Sequence, residues 1–373
     1  MKNTILPLSV LASMALYGQA FAGTEMPSAK AVAPVTEEPV DWCEKIWSIP
    51  TLYKNDEAAF LNEFKIVGRY QLQYLNIDSN QGGYSDWETR RWRIGAEAKI
   101  FKDVKIAGQI NINPDFDPFY FNLDSAYIQF PVGPGKLTVG KHKPKFTYEY
   151  STSSTKIVTF ERSVLVNNLA PLKSTGATYA GEAGEFDYSI GLFSGDIDRE
   201  FGGFNAGVFS LATIGKDLGW ADWTFGYLYN GDSDGLAARD NHHSFSNTLV
   251  FGGEGPLKVG TDMIYSSGRD SDRYGIIILP TYDITEKIQA VARYQYAHGD
   301  NDGLRLGRAR RVSNITDGGR GEDYHAVYAG LNYYICDHNL KLMTGIEYSD
   351  MDGGGDGGDF DGWTFFTGVR LYF

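Results

Sequence analysis

At the end of the chain, apolar side chains stand at Trp363, Phe365, Val369, Leu371 and Phe373, with Thr364, Gly368 and Arg370 on the opposite parity. A β-strand puts successive side chains on opposite faces, so this segment has one apolar face and one polar or small face. The pattern recurs upstream. In 64–74, Phe64, Ile66, Gly68, Tyr70, Leu72 and Tyr74 oppose Lys65, Val67, Arg69, Gln71 and Gln73. In 87–100, Trp92, Ile94, Ala96, Ala98 and Ile100 oppose Arg91, Arg93, Glu97 and Lys99. Outside the N-terminus, no run of about 18 apolar residues suits a membrane helix. Two-faced strands can still cross lipid, but only as a closed sheet with no unpaired edge.

The spacing predicts strands at 64–77, 87–100, 104–113, 123–131, 136–142, 173–180, 186–193, 206–216, 220–230, 243–252, 257–266, 275–284, 288–298, 323–335, 340–349 and 363–373. That is about sixteen, an even count suited to a single-chain antiparallel barrel. The connections alternate strictly. Short ones fall at 101–103, 131–135, 181–185, 217–219, 253–256, 285–287 and 336–339. Long ones fall at 78–86, 114–122, 143–172, 194–205, 231–242, 267–274, 299–322 and 350–362. Short turns on one side and long loops on the other are the asymmetry of a membrane barrel. The reading is an all-β transmembrane antiparallel β-barrel over 63–373.

The N-terminus fits an exported chain. Lys2, an apolar stretch from Ile5 to Tyr17 and Ala20-Phe21-Ala22 form a Sec signal peptide over 1–22. Residues 23–62 read as a flexible periplasmic segment, with a short helix over 56–62. The C-terminal Phe on an amphipathic strand resembles the last strand of bacterial outer-membrane barrels, which implies that location. Mean hydropathy is −0.30, as expected where lipid-facing and water-facing residues alternate. The 24 Tyr and 7 Trp suit interfacial girdles. A net charge of −13 argues against a nucleic-acid partner. Many acids, among them Asp232, Asp234, Asp240, Asp350 and Asp361, fall in the long loops. The two cysteines, Cys43 and Cys336, would both lie on the oxidising periplasmic side, where a disulfide is favoured over two free thiols.

A barrel of about sixteen strands leaves an aqueous channel, so the side chains at its narrowest point set what passes. The longest loop, 143–172, carries Lys143, Lys145, Lys156, Glu161 and Arg162, and folded inward it would constrict the pore. Gly140-Lys-His-Lys-Pro144 leading to Phe160-Glu-Arg-Ser163 resembles the phosphate-selective porin O and P family. So do Gly68-Arg-Tyr70, Arg90-Arg-Trp-Arg93, Ala292-Arg-Tyr294 and Gly330-Leu-Asn-Tyr-Tyr334. The resemblance implies a trimeric outer-membrane porin that passes anions such as phosphate, without cofactor or catalysis. Its partners would be outer-membrane lipid, lipopolysaccharide, small hydrophilic solutes and two further copies of itself.

The candidate anion-guiding residues are Arg69, Arg91, Arg93 and Arg293 on the wall, with Lys141, Lys143, Lys145, Lys156 and Arg162 at the loop. Rings of cations replace an anion's hydration and repel cations, and Arg offers phosphate two parallel donors. The lumen-facing set also contains the acids Glu97, Asp262 and Glu347, and the competing reading is that the bases pair with wall acids and set the loop position, with Glu161 beside Arg162 and Glu97 near Arg93. A second basic group, Arg305, Arg308, Arg310, Arg311 and Arg320, could serve the pore mouth, grip lipopolysaccharide phosphates or a neighbouring subunit, or be solvated surface. The Asp-Gly loop 350–361 lacks the spacing of an EF-hand, and no metal site is assigned. The six histidines fit no metal-ligand spacing, and no G-x-S-x-G elbow occurs. The alternatives are a general diffusion porin with weak or cation selectivity, an adhesive surface barrel and a barrel enzyme.

Overall fold

The computed structural model describes residues 41–231, 236–312, 319–353 and 359–373. The signal peptide and the lead-in 23–40 lie outside these, as do Asp232, Asp234 and the centre of the Asp-Gly loop. Sixteen antiparallel strands form the wall. They are β1 (Leu61–Ser79), β2 (Gly82–Ile100), β3 (Val104–Ile112), β4 (Tyr120–Val132), β5 (Gly135–His142), β6 (Ser174–Ala183), β7 (Phe186–Ser194) and β8 (Val208–Asp217). The others are β9 (Ala221–Tyr229), β10 (Asn241–Phe251), β11 (Leu257–Gly268), β12 (Arg273–Asp283), β13 (Ile288–Gly299), β14 (Asp323–Cys336), β15 (Leu340–Asp352) and β16 (Phe360–Tyr372). Each strand pairs with its sequence neighbours, and β16 pairs with β1 from Gly362↔Ser79 to Tyr372↔Arg69, which closes the ring.

The alternation reads out as expected. On β16, Trp363 and Phe365 face outward and are exposed, while Thr364, Phe366 and Arg370 are buried inside. On β1, Gln71, Gln73, Leu75 and Ile77 point inward. The seam has its own lock. Gly68 and Phe373 exchange backbone hydrogen bonds of 2.8 and 3.1 Å, and the Phe373 ring lies over Gly68, where any Cβ would meet it at 2.4 Å.

Three local expectations fail. The connection expected over 78–86 is a tight turn at 80–81, because β1 and β2 run on as strands of 19 residues each. The long connection expected over 267–274 is only 269–272, because β11 runs on to Gly268 and β12 starts at Arg273. Residues 56–62 form no helix. The helix in this region is α1 (Trp42–Ser48), followed by a short strand, Thr51–Lys54, paired with Glu63–Lys65 of β1. The described part of 23–62 is therefore fastened down, not free. Trp47 Nε1 donates to the Tyr372 carbonyl, and Cys43 and Cys336 form a disulfide with Cα atoms 5.5 Å apart. The short strand takes the edge of β1 beyond the end of β16, so no ladder is left open there.

The long loop after β5 turns into the barrel. It carries α2 (Tyr148–Ser151) and α3 (Val164–Leu169), capped by Thr147 and Ser163. Its apolar residues Phe146, Val164, Leu165 and Leu169 pack on inward Phe209, Leu228, Ile264 and Ile277. Phe160 stacks on Phe366 at 5.2 Å. Burying this apolar surface drives the loop inward. The external connection 300–322 also enters, through α4 (Arg308–Val312), with Leu304, Leu306 and Ala309 buried.

Candidate functional site

The inward loop leaves its backbone carbonyls against the wall, and wall side chains satisfy them. Gln71 Nε2 donates to Ser154 O at 2.8 Å, Lys341 Nζ to Ile157 O at 2.6 Å and Asn332 Nδ2 to Val158 O at 3.0 Å. Arg293 donates to Glu161 O at 2.8 Å. The N-terminus of α2 is held by Asp262 on β11, whose two oxygens accept from the Tyr148 and Glu149 N–H groups at 2.8 and 2.9 Å. Buried backbone groups need such partners, so these contacts fix the path of the loop.

Between the loop and β1–β8 lies a cavity of about 700 Å³. Eight cationic side chains line it: Arg69, Arg91, Arg93, Lys141, Lys143, Lys145, Arg162 and Lys173. Only two carboxylates do, Glu97 and Asp124. Both are already engaged twice. Asp124 binds Arg93 at 2.9 Å and also Lys173. Glu97 binds Lys105 at 2.8 Å and Lys65 at 3.5 Å.

Five of the cations are held by neutral acceptors instead, Lys141 among them through the Asp198, Arg199 and Glu200 carbonyls. Arg69 donates to Gln109 Oε1 at 3.1 Å and to the Ser154 hydroxyl. Arg91 donates to Gln71 Oε1 at 2.8 Å. Arg162 donates to the carbonyls of Glu149 and Thr152 at 3.0 and 2.7 Å, and Lys143 to that of Thr152 at 3.1 Å. Lys143 and Arg162 also lie 4.9 and 5.8 Å from the Tyr150 ring centroid. Neutral partners orient a cation without cancelling its charge, so the cavity carries positive potential.

Seven of the nine candidate residues therefore share this cavity. The other two do not. Arg293 is 3% exposed, clamped between Glu149 at 2.7 Å and Glu347 at 2.8 Å beneath the loop, so its charge is spent on position. Lys156 opens on a separate cavity of about 900 Å³ bordered by Glu254, Glu286 and His338, beside the short turns. Lys141 reaches the loop-side cavity, but its ammonium is cradled by the Asp198, Arg199 and Glu200 carbonyls at 2.9, 3.3 and 2.6 Å.

Sequence reasoning left out Lys173, Asp124, Lys341 and Arg370 as site residues. Arg370 and Lys341 were readable, since each alternates with outward apolar neighbours. That they meet the loop at Phe160 and Ile157 was not. The mouth arginines divide: Arg308 pairs with Glu88 and Arg310 with Glu347, both inside the barrel.

A closed antiparallel barrel with a loop-narrowed aqueous lumen defines an outer-membrane channel, a porin. Residues 64–232 match the family model described as phosphate-selective porin O and P, and the resemblance carried by the sequence motifs holds over that segment. Solved structures share the fold. OmpF of Salmonella typhi, in complex with daunomycin, is 13% identical with a TM-score of 0.59, covering 87% of this chain and all (100%) of that one. The outer-membrane channel DcaP of Acinetobacter baumannii is 14% identical with a TM-score of 0.57, covering 86% and 100%. OmpT of Vibrio cholerae, described in a trimer form, is 14% identical with a TM-score of 0.55, covering 83% and 99%. An uncharacterized protein of Caulobacter vibrioides is 26% identical over 141 residues. That match takes in 36% of this chain and only 28% of the relative's length.

Proposed function

We propose that the channel favours anions, inorganic phosphate among them, and lets small hydrophilic solutes diffuse passively in a homotrimer, without catalysis. One observation carries this reading: eight cations line the cavity against two carboxylates that are each already doubly paired. An anion entering such a space exchanges water for Arg and Lys donors, and a cation meets only repulsion. Arg69, Arg91 and Arg162 present guanidinium groups suited to phosphate. The trimer rests on the fold neighbour described in that form. Outward apolar side chains would meet lipid and lipopolysaccharide, and residues 1–22 would be removed on export. A weakly selective general porin is the second reading, favoured by the net charge of −13.

The test is chloride current through the purified protein in a planar bilayer as inorganic phosphate is added. The expected result is a saturable fall in chloride current, weakened by Lys143→Gln and Arg162→Gln. Chloride current indifferent to phosphate would remove the phosphate preference.

A further inference from the structure

We infer that Arg310, on the external loop 300–322, is a positioning residue for the pore constriction, acting through a buried relay of alternating charges. This rests on the reading of the cavity above as the conducting path. Arg310 Nη2 binds Glu347 Oε1 at 2.9 Å. The other oxygen of Glu347 binds Arg293 Nη2 at 2.8 Å. Arg293 Nη1 binds Glu149 Oε1 at 2.7 Å. Glu149 Oε2 accepts from the N–H and hydroxyl of Ser163 at 2.9 and 2.6 Å.

The four charged groups come from three places: the external loop, the wall strands β13 and β15, and the inward loop. All four are 4% exposed or less. Two carboxylates and two guanidinium groups leave the relay neutral, which is the condition for burying charge without a large penalty. Its inner end bears directly on the constriction. Glu149 precedes Tyr150, which lines the cavity, and its carbonyl accepts from Arg162, which lines it too. Ser163, which Glu149 holds, follows Arg162 and caps α3. The loops also meet without charge: Asn168 of α3 exchanges hydrogen bonds with the Arg305 backbone at 2.9 and 3.0 Å.

The described part of the external loop, through α4, is thus a second inward element stacked on the first. Removing Arg310 leaves Glu347 half-paired, and Arg293 then shifts toward it and away from Glu149. The constriction residues lose their fixed position although Arg310 does not touch the conducting path. Buried charge networks couple in this way, and double-mutant cycles measure it.

The experiment compares single-channel conductance, open-channel noise and zero-current potential for wild type, Arg310→Gln, Glu149→Gln and the double variant. Arg310→Gln is expected to raise conductance and noise and to move the potential toward zero. The double variant should do no more than the stronger single one. Arg310→Lys should restore most of the wild-type behaviour. Arg320→Gln, with the same charge change on the same loop but outside the relay, should leave noise unchanged. Wild-type conductance and noise in Arg310→Gln, or fully additive effects in the double variant, would overturn the inference. Should Arg310→Gln not fold, Arg310→Lys and Glu149→Gln give the same comparison with a weakened tether. A wild-type channel without anion selectivity would sink the anion reading alone, since conductance and noise still test the relay.

Discussion

Phe373 lies across Gly68: the ring occupies the space above the glycine, 2.4 Å from where a Cβ would stand, and the two backbones are hydrogen-bonded. The last residue of the chain and a strand-one glycine thus form the closing contact of the barrel. A side chain at position 68 must displace the ring, an overpacking that costs about 1–3 kcal/mol. Gly68→Val is therefore expected to lower the temperature at which the folded barrel loses its compact electrophoretic mobility. An unchanged transition would show that the ring is free to move.

Lys341 reaches Ile157 O at 2.6 Å across 184 residues of chain. Lys341→Met keeps the length of the side chain and strips the donor from a buried carbonyl. Leaving such a group unsatisfied costs about 1–3 kcal/mol. The tip of the inward loop should loosen, seen as increased open-channel noise in single-channel records. A quiet channel with unaltered conductance would mean that the apolar packing of Phe160 holds the loop unaided.

The Cys43–Cys336 bridge closes a span of 293 residues that takes in β1 to β14. Cross-links over long spans stabilise chiefly by restricting the unfolded chain, typically by about 2–4 kcal/mol. The double variant Cys43→Ser, Cys336→Ser should unfold at lower denaturant and expose α1 to protease, with strand content by circular dichroism retained. Equal denaturation midpoints would contradict this.

The external loop 195–207 is pinned by Asp196, whose carboxylate accepts from the Ala206 and Asn205 N–H groups at 2.7 and 3.1 Å. The Ala206 bond, with its neighbours, holds the Asp196 carboxyl below its usual value of 3.8. A depressed acid contributes fully above that value, and its contribution disappears as pH falls through the lowered pKa. The protection of the Ala206 amide against exchange, relative to its intrinsic rate at each pH, should therefore fall at strongly acid pH. In Asp196→Asn that loss of protection should be absent. If wild type and variant exchange alike throughout, the pin has no part in ordering the loop.

The barrel was legible because a membrane wall repeats one rule in every strand: Trp363 out, Thr364 in. Each expected strand overlaps an observed one, and the alternation of short and long connections survives except at 269–272 and at 80–81. At 80–81 the β1–β2 hairpin continues past the polar residues Asp78 to Asp86, which read as a loop because beyond the lipid a strand need not be apolar. The site was half legible. Inward parity identified Arg69, Arg91 and Arg93, and loop position identified Lys143 and Arg162. Parity cannot say which inward cation is covered. Arg293 shares the parity of a pore residue, yet Glu149, 144 residues away, takes its charge. The entry of α4 was hidden for the same reason. It depends on Glu88 and Glu347, which nothing local in 300–322 announces.

On the proposed reading, uncompensated cations at the constriction make this channel prefer anions. The most direct measurement is the zero-current potential of the purified protein in a planar bilayer under a potassium chloride gradient, for wild type and for Arg69→Gln, Arg91→Gln and Arg162→Gln combined. The expected result is an anion-selective potential in wild type that moves toward zero or reverses in the triple variant. A cation-selective wild type, or a triple variant with undiminished anion selectivity, would contradict it.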